Sequence, residues 1–139
     1  MFEIISKAFR NYNKYFIANT NTAVTNMKSR VGNIEKSTFL TISNFIRNSV
    51  VECDILFIDE CSMVSNIDMI KILRKQKYKA IILVGDIYQI ESIKYGNWFL
   101  FCNRYFKDDI VYNLKDTHRT SDVDLMELWE SVRFNNKKA

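Results

Sequence analysis

The sequence predicts an α/β fold with a mainly parallel sheet flanked by helices, and three observations support this. Ile55–Ile58 and Ala80–Val84 are unbroken apolar runs, which are typical of strands covered on both faces. Segments with apolar residues at three- and four-residue spacing lie between the predicted strands. Polar residues close each run at its carboxyl end. Alternation of this kind indicates parallel strands joined by helices.

Length and composition favour one globular domain. The chain has 139 residues, of which 47% are hydrophobic and 26% charged, enough to bury a core. No run is apolar and long enough to span a membrane, and the N-terminus lacks a secretory signal, so we expect no membrane partner. The three cysteines form no metal-binding pattern, which favours reduced thiols and an intracellular location, in cytoplasm, nucleoid, nucleus or virus factory.

The charge is unevenly distributed. Residues 1–50 carry seven Lys and Arg against two Glu, a net charge of +5, while the whole chain carries +4. A basic half beside a near-neutral half suits a polyanionic partner. A solvated basic surface explains the charge equally well.

The first half of the chain is predicted to alternate between helices and strands. Apolar spacing indicates the helices, and a short apolar run indicates the strand. The predicted elements are a helix at Phe2–Asn11, a strand at Lys14–Ala18, a helix with Ala23, Met27 and Val31 on one face and Gly32 as its C-cap, a polar link from Gly32 to Thr41, and a short helix at Ile42–Ile46 that starts at Thr41.

The second half repeats the alternation after the central strand at Ile55–Ile58. Ser65 and Asp68 resemble a capping box. The further elements are a helix through Arg74, a strand at Ala80–Val84, a helix at Tyr95–Phe106, a strand at Asp109–Leu114, and a last helix from Ser121 and Asp124 with Leu125, Leu128 and Val132 on one face. We expect one domain over residues 1–134 and a polar tail at 135–139.

Two acidic residues directly follow the central strand. Asp59 and Glu60 are neighbours, so their side chains point to opposite faces and can have different tasks. The carboxyl end of a strand is where open α/β sheets bind ligands. Mg²⁺ prefers oxygen ligands, and an attacking water needs a nearby base. The alternative is a buried strand that ends in two solvated acids.

Several segments, in order, resemble the first RecA-like domain of superfamily 1 helicases, most closely the RecD-like branch. The similarity extends over nearly the whole chain. Ile58–Val64 (Ile-Asp-Glu-Cys-Ser-Met-Val) resembles the Walker B motif, Leu83–Ile90 resembles motif III, Asn113–Thr120 resembles motif IV, Ile17–Ala23 is similar to motif Ia, and Thr41–Ser43 resembles a Thr-Ile-His segment. The resemblance implies a RecA-like P-loop NTPase core.

The resemblance implies ATP and Mg²⁺ as cofactors. Asp59 would hold Mg²⁺, and Glu60 would activate the attacking water. Gln89 would sense the γ-phosphate, and Arg119 would neutralise charge on it in the transition state. The nucleotide-binding residues would be Asp59, Gly85 and Asp86.

The resemblance also implies a single-stranded nucleic acid partner, expected to be DNA. Thr20, Asn21 and Thr41 would contact its backbone. Hydroxyl and backbone N–H groups make such contacts without reading sequence. The similarity of motif III to that of viral RNA helicases leaves RNA open as an alternative.

One motif of the family is missing from these residues. A Walker A loop needs a glycine-rich turn followed by Lys-Ser/Thr. The chain has three glycines, Gly32, Gly85 and Gly96, and none precedes a lysine. We therefore expect a RecA-like core that is incomplete at its N-terminus. Strand edges left open in this way would favour self-association.

The sequence thus predicts a fragment of an ATP-dependent 5′–3′ DNA helicase or translocase. Its motor would serve processes such as DNA repair or recombination. Without the phosphate loop, the chain alone is expected to be inactive as an ATPase. The alternatives are a catalytically inactive nucleic-acid-binding remnant and part of a viral RNA helicase.

Overall fold

The chain forms two compact units, Met1–Cys102 and Asn103–Ala139. The computed structural model describes residues 2–49, 52–86, 96–106, 110–112 and 114. No helix in those ranges is long and apolar enough to cross a membrane. The elements are α1 (Phe2–Ala8), β1 (Lys14–Ala18), α2 (Asn21–Val31), β2 (Ser37–Thr41), α3 (Ile42–Arg47), β3 (Ile55–Ile58), α4 (Asn66–Lys75), β4 (Ala80–Leu83) and α5 (Trp98–Tyr105), with a 3-10 turn at Cys61–Met63.

The four strands form one parallel sheet in the order β2-β1-β3-β4. Ile17 of β1 pairs with Leu40 of β2 and Ile58 of β3, and Ile58 pairs with Leu83 of β4. The α/β fold predicted from the sequence is confirmed, and it is consistent with a RecA-like P-loop NTPase domain. Both β1 and β3 are paired on two sides, so the edge strands of this four-stranded sheet are β2 and β4.

The sheet is covered on both faces, because side chains alternate along each strand. In β3, Leu56 and Ile58 enter one apolar cluster, whereas Ile55 and Phe57 enter the other. Helices α3 and α4 contribute to the first cluster and α1 and α2 to the second. Burial on both faces explains why the sequence of β3 is an unbroken apolar run.

Aromatic stacking orders the second face. The ring of Phe16 lies between those of Phe39 and Phe57, with centroid distances of 4.9 and 4.4 Å. Phe2 of α1 meets Phe16 and Phe57 edge-on. These rings link three neighbouring strands to α1, and such pairs add stability beyond that of area burial alone.

Several predicted elements are confirmed. β1 and β3 occupy the predicted residues, and α5 lies within the predicted range. Gly32 caps α2 with a φ of 73° and donates its N–H to the Lys28 carbonyl, which is the usual role of glycine at this position. The hydroxyl of Ser65 caps α4 by accepting the N–H of Asp68 at 3.1 Å and donates to its carboxylate at 2.9 Å.

Other predictions are wrong. α1 ends at Ala8 rather than Asn11. The predicted polar link before Thr41 contains β2. This strand lacks the apolar pattern of a buried strand, and the stacking of Phe39 on Phe16 stabilises it instead. In the predicted strand at Asp109–Leu114, the described residues, 110–112 and 114, are not in a strand. The last predicted helix and the polar tail lie outside the described residues.

Lys14 is a fully buried lysine at the start of β1. Its ammonium donates to the carbonyls of Phe9, Tyr12 and Glu35 at 2.9–3.0 Å, and more weakly to that of Arg10 at 3.4 Å. Burial lowers the pKa of Lys14. The ammonium therefore joins the segment after α1 to the segment before β2.

Replacing Lys14 with Met should destabilise the fold by about 3 kcal/mol, because the carbonyls lose a charged donor. Urea denaturation followed by circular dichroism measures the change. Lys36→Met is the matched control, since exposed Lys36 donates a single side-chain bond within the described ranges, to the carbonyl of Asn11 at 3.1 Å. Equal losses in the two variants would show that the buried carbonyls do not depend on Lys14.

Candidate functional site

The candidate site residues that the structure describes lie at the carboxyl edge of the sheet. Parallel strands end at the same edge, so the residues that follow them are brought to one side. Thr20 and Asn21 follow β1, Thr41 ends β2, Asp59 and Glu60 follow β3, and Gly85 and Asp86 follow β4. The other two predicted residues, Gln89 and Arg119, lie outside the described residues.

Asp59 is a partly buried carboxylate held at the exit of β3. Its N–H donates to the Ile17 carbonyl at 3.0 Å, which extends the pairing with β1. Its Oδ1 accepts the N–H of Glu60 at 3.0 Å. Burial raises the pKa of Asp59, although the Glu60 N–H and the charge of Arg30 act in the opposite direction. The fold therefore holds an acid whose ionised form is partly desolvated, and a nearby cation would offset that cost.

Glu60 adopts a left-handed backbone conformation, with φ 51° and ψ 38°. Its carbonyl accepts the N–H of Met63 at 3.0 Å and so opens the 3-10 turn. This conformation costs a residue other than glycine on the order of 1–2 kcal/mol. A residue keeps such a conformation where the surrounding structure fixes it. Here the conformation turns the chain sharply at the end of the central strand.

Gly85 lies in close contact with the 3-10 turn. A Cβ at this position would lie 2.7 Å from the Sγ of Cys61 and 3.1 Å from both the Phe99 ring and the N of Ser62. The N–H of Cys61 also donates to the Val84 carbonyl at 2.9 Å. The exit of β4 is thus fixed against the exit of β3, and only glycine fits there.

Sequence reasoning missed three residues around the acidic pair. The charge of Arg30 in α2 acts to lower the pKa of Asp59. Cys61 is fully buried, and burial raises the pKa of its thiol. Ser62 is 8% exposed, and its hydroxyl has no hydrogen-bond partner in the part of the chain that the structure describes. The small residues after the acids were the available signal, since Cys61 and Ser62 lie in close contact with Gly85.

Thr20 and Thr41 are helix caps. The hydroxyl of Thr20 accepts the N–H of Ala23 at 3.1 Å, and that of Thr41 accepts the N–H of Asn44 at 3.3 Å. Each hydroxyl keeps its own proton for donation. Asn21 is the exposed first residue of α2. These residues are placed where a ligand can reach them, while the two hydroxyls also stabilise their helices.

A family model for the AAA domain matches residues 3–139. The chain belongs to the AAA domain family. This family is of the P-loop NTPase type and occurs in helicase-like proteins. No curated protein matches the chain.

AAA domains generally use a nucleotide and Mg²⁺, and the donor set at the carboxyl edge fits this cation. Within the described ranges, no three His, Cys, Asp or Glu side chains are grouped as a metal cage. Mg²⁺ needs no such cage, since it is held by one or two carboxylates together with water and substrate phosphates. The raised pKa of Asp59 marks the carboxylate that such a cation would stabilise.

The pKa direction of Asp59 yields a stability prediction. A carboxyl group with a raised pKa stabilises the fold when protonated, and this contribution is lost as pH rises through the folded-state pKa. Asp59→Asn keeps an acceptor for the Glu60 N–H and removes the charge. The variant should therefore melt a few degrees above the unmodified chain at pH 7, and the gain should shrink toward pH 4. Melting curves at both pH values measure the difference.

Asp54 provides a control of opposite sign at the other end of β3. Its bond to the Lys79 ammonium at 2.6 Å, and the Asn13 N–H at 2.9 Å, lower the pKa of Asp54. Its stabilising effect is present above its unfolded pKa and is lost only at more acidic pH. Asp54→Asn should thus lower the melting temperature at pH 7, and this loss should begin to shrink near pH 4, close to the unfolded pKa. A gain at Asp54, or a loss at Asp59, would contradict the assigned environments.

Proposed function

We propose that this AAA domain is part of an ATP-driven motor of the RecD-like branch of superfamily 1, which moves 5′–3′ along single-stranded DNA. The observation that carries the proposal is the exit of β3. There the partly buried Asp59 and the left-handed Glu60 lead directly into the turn whose Cys61 packs tightly against Gly85. The chain belongs to a P-loop NTPase family found in helicase-like proteins, and the order of its sequence motifs supports the finer assignment.

The residues at this edge can divide the hydrolytic work between them. Asp59 would hold Mg²⁺, and Glu60 would accept a proton from the attacking water. Mg²⁺ bound with nucleotide supplies positive charge to the phosphate oxygens. Gly85 and Asp86 would border the nucleotide, while Gln89 and Arg119 would contact its γ-phosphate. The sharp turn at Glu60 separates the base from the cation ligand, so one strand end serves both tasks.

Single-stranded DNA is the proposed partner of the same edge. Thr20 and Thr41 cap the helices that follow two neighbouring strands, so both hydroxyls belong to the carboxyl edge of the sheet. Asn21 adds an exposed amide beside Thr20. Contacts of this kind reach phosphate and sugar oxygens and do not read bases. The excess of positive charge in residues 1–50 supports a polyanion there.

A second candidate function is nucleic-acid binding without hydrolysis. It is favoured by the sequence, because no glycine in these 139 residues precedes a lysine and a phosphate-cradling loop requires that pair. The retained acidic pair and the tight Gly85 contact favour the hydrolytic motor.

A viral RNA motor would use the same edge of the sheet. Comparing the binding of DNA and RNA oligonucleotides separates a DNA motor from an RNA motor.

The 139-residue chain should hydrolyse Mg·ATP only at background rate, because it lacks the lysine and backbone donors that bind the phosphates. Phosphate release by the purified chain measures this. A longer chain that supplies the phosphate loop should hydrolyse ATP, and Glu60→Gln should abolish its turnover while ATP binding persists. Normal turnover in that variant would show that Glu60 is not the base.

Asp54→Asn in the longer chain is the control for a general loss of structure. It removes a carboxylate at the start of β3, at the opposite end of the strand from the site. The longer Asp54→Asn chain should retain turnover at temperatures where it is folded. Sustained hydrolysis by the 139-residue chain that depends on Glu60 would overturn the requirement for the loop.

Single-stranded oligonucleotides should bind weakly and with little dependence on sequence. If about three phosphates are contacted, affinity should fall roughly tenfold or more between low and physiological salt. Thr20→Ala should weaken binding with almost no change in salt slope, and Lys28→Gln together with Arg30→Gln should flatten the slope. Fluorescence anisotropy of a labelled oligonucleotide across a salt series measures both effects.

Three further variants separate contact from folding. Thr20→Ser keeps the hydroxyl and the cap and should bind normally, whereas Thr20→Asn keeps a cap but changes the donor group. Lys28→Gln alone should flatten part of the salt slope without altering the pKa of Asp59, because the charge that acts on that carboxylate is that of Arg30. Preference for duplex, or tight binding that ignores salt, would place the nucleic acid elsewhere.

A further inference from the structure

Helix α4 has an apolar face that lies outside both apolar clusters of the described residues. Met69 and Ile72 point into the core, with 6% and 0% of their surfaces exposed. Ile67, Ile70 and Leu73 are 64%, 47% and 49% exposed, respectively. Their three-residue spacing places them in one stripe along the helix, where a surface helix normally carries polar residues.

The stripe belongs to a firmly held helix. Ser65 caps its start, and the ammonium of Lys75 donates to the Ile46 carbonyl at 2.8 Å. The hydroxyl of Tyr78 donates to the Ile72 carbonyl at 2.6 Å, and the Trp98 N–H donates to the side chain of Asn66 at 3.2 Å. The stripe is therefore a preformed surface, and binding to it needs little ordering of α4.

Positive charge flanks the stripe. Arg74 lies four residues after Ile70, and Lys71 lies four after Ile67, so both are neighbours of the stripe on the helix surface. Both side chains are exposed. Asp68 lies 3.8 Å from the Lys71 ammonium and offsets part of its charge, whereas the described residues form no ion pair with Arg74. The surface formed by Ile67, Ile70, Lys71, Leu73 and Arg74, here called the α4 outer face, is thus apolar with a basic border.

This charge pattern selects among possible occupants. A second copy packed stripe against stripe would bring like charges together along both borders, which disfavours association. Nucleic acid would gain little from aliphatic side chains, because bases stack on aromatic rings. An amphipathic helix with acidic residues beside its apolar face would satisfy both the stripe and its border.

We propose that the α4 outer face is a docking surface for an amphipathic helix of a protein partner, with Asp and Glu flanking its apolar residues. Apolar residues of the partner at helical spacing would cover Ile67, Ile70 and Leu73. Its carboxylates would meet Lys71 and Arg74. The proposal requires neither nucleotide nor nucleic acid, so its failure and that of the proposed motor function are distinguishable.

A displayed library of random 16-residue peptides, selected against the whole chain, tests the proposal. Enriched peptides should carry apolar residues at helical spacing with Asp or Glu beside them. Ile70→Gln should weaken their binding about tenfold, because an isoleucine that would be buried is lost. Arg74→Glu should weaken the acidic peptides and should strengthen versions in which Lys replaces their acids.

Ile4→Gln is the matched control, because Ile4 is an exposed isoleucine, 73% accessible, on another helix. This variant should bind the selected peptides like the unmodified chain. Ile70→Gln should keep the melting temperature within a few degrees, since the side chain points outward. Gln is a good helix former, so α4 should persist.

Four results would overturn the proposal. The selection could give no peptide that depends on Ile70, or peptides that bind equally well after their acids are replaced by Lys. Sedimentation could show self-association that Ile70→Gln abolishes, which would make a second copy the occupant. Vesicles containing anionic lipid could bind through Ile70, which would make the occupant a lipid surface.

Discussion

The complete enclosure of β3 is the constraint on which the site depends. This strand is paired on both edges and covered on both faces, so no charged side chain can be accommodated along it without a partner. The first acids come where the strand ends. Backbone bonds then fix their position, since the Asp59 N–H continues the pairing with β1 and the Cys61 N–H joins the turn to the exit of β4. The geometry of the acidic pair is therefore a consequence of the sheet.

The two ends of β3 show how environment decides the chemistry of one residue type. Asp54 precedes the strand, and the Lys79 ammonium and the Asn13 N–H hold its pKa low. Asp59 follows the strand, and burial raises its pKa. The first aspartate therefore stabilises the fold in its ionised form, whereas the second is ionised at a cost. Glu60 adds a left-handed backbone next to it. A partly desolvated carboxylate and a left-handed backbone on adjacent residues are typical of a ligand site, because ligand binding can offset both costs.

Local patterns predicted the parts of the fold that depend on local physics. β1, β3, the C-cap at Gly32 and the cap at Ser65 follow from apolar runs and capping chemistry. β2 was missed because it is half-buried throughout, and its stability comes from pairing with β1 and from the stacking of Phe39. The closeness of Gly85 to Cys61 and Phe99 depends on three segments distant in sequence, so no spacing rule could predict it. The positions of the acids at the carboxyl edge were predictable, but their strain and desolvation were not.

The same limit applies to α4, where helical spacing identifies apolar residues but not what covers them. Ile67 and Ile70 fit a core pattern in the sequence as well as Met69 and Ile72 do, and only the packing separates the two faces. α4 begins soon after the turn that Glu60 opens, so a partner that moved the helix would act on the acidic pair. Such coupling requires an element with two arrangements. The bonds from the Lys75 ammonium, the Tyr78 hydroxyl and the Trp98 backbone N–H hold α4 in one arrangement, which favours a surface that recruits a partner over one that regulates the site.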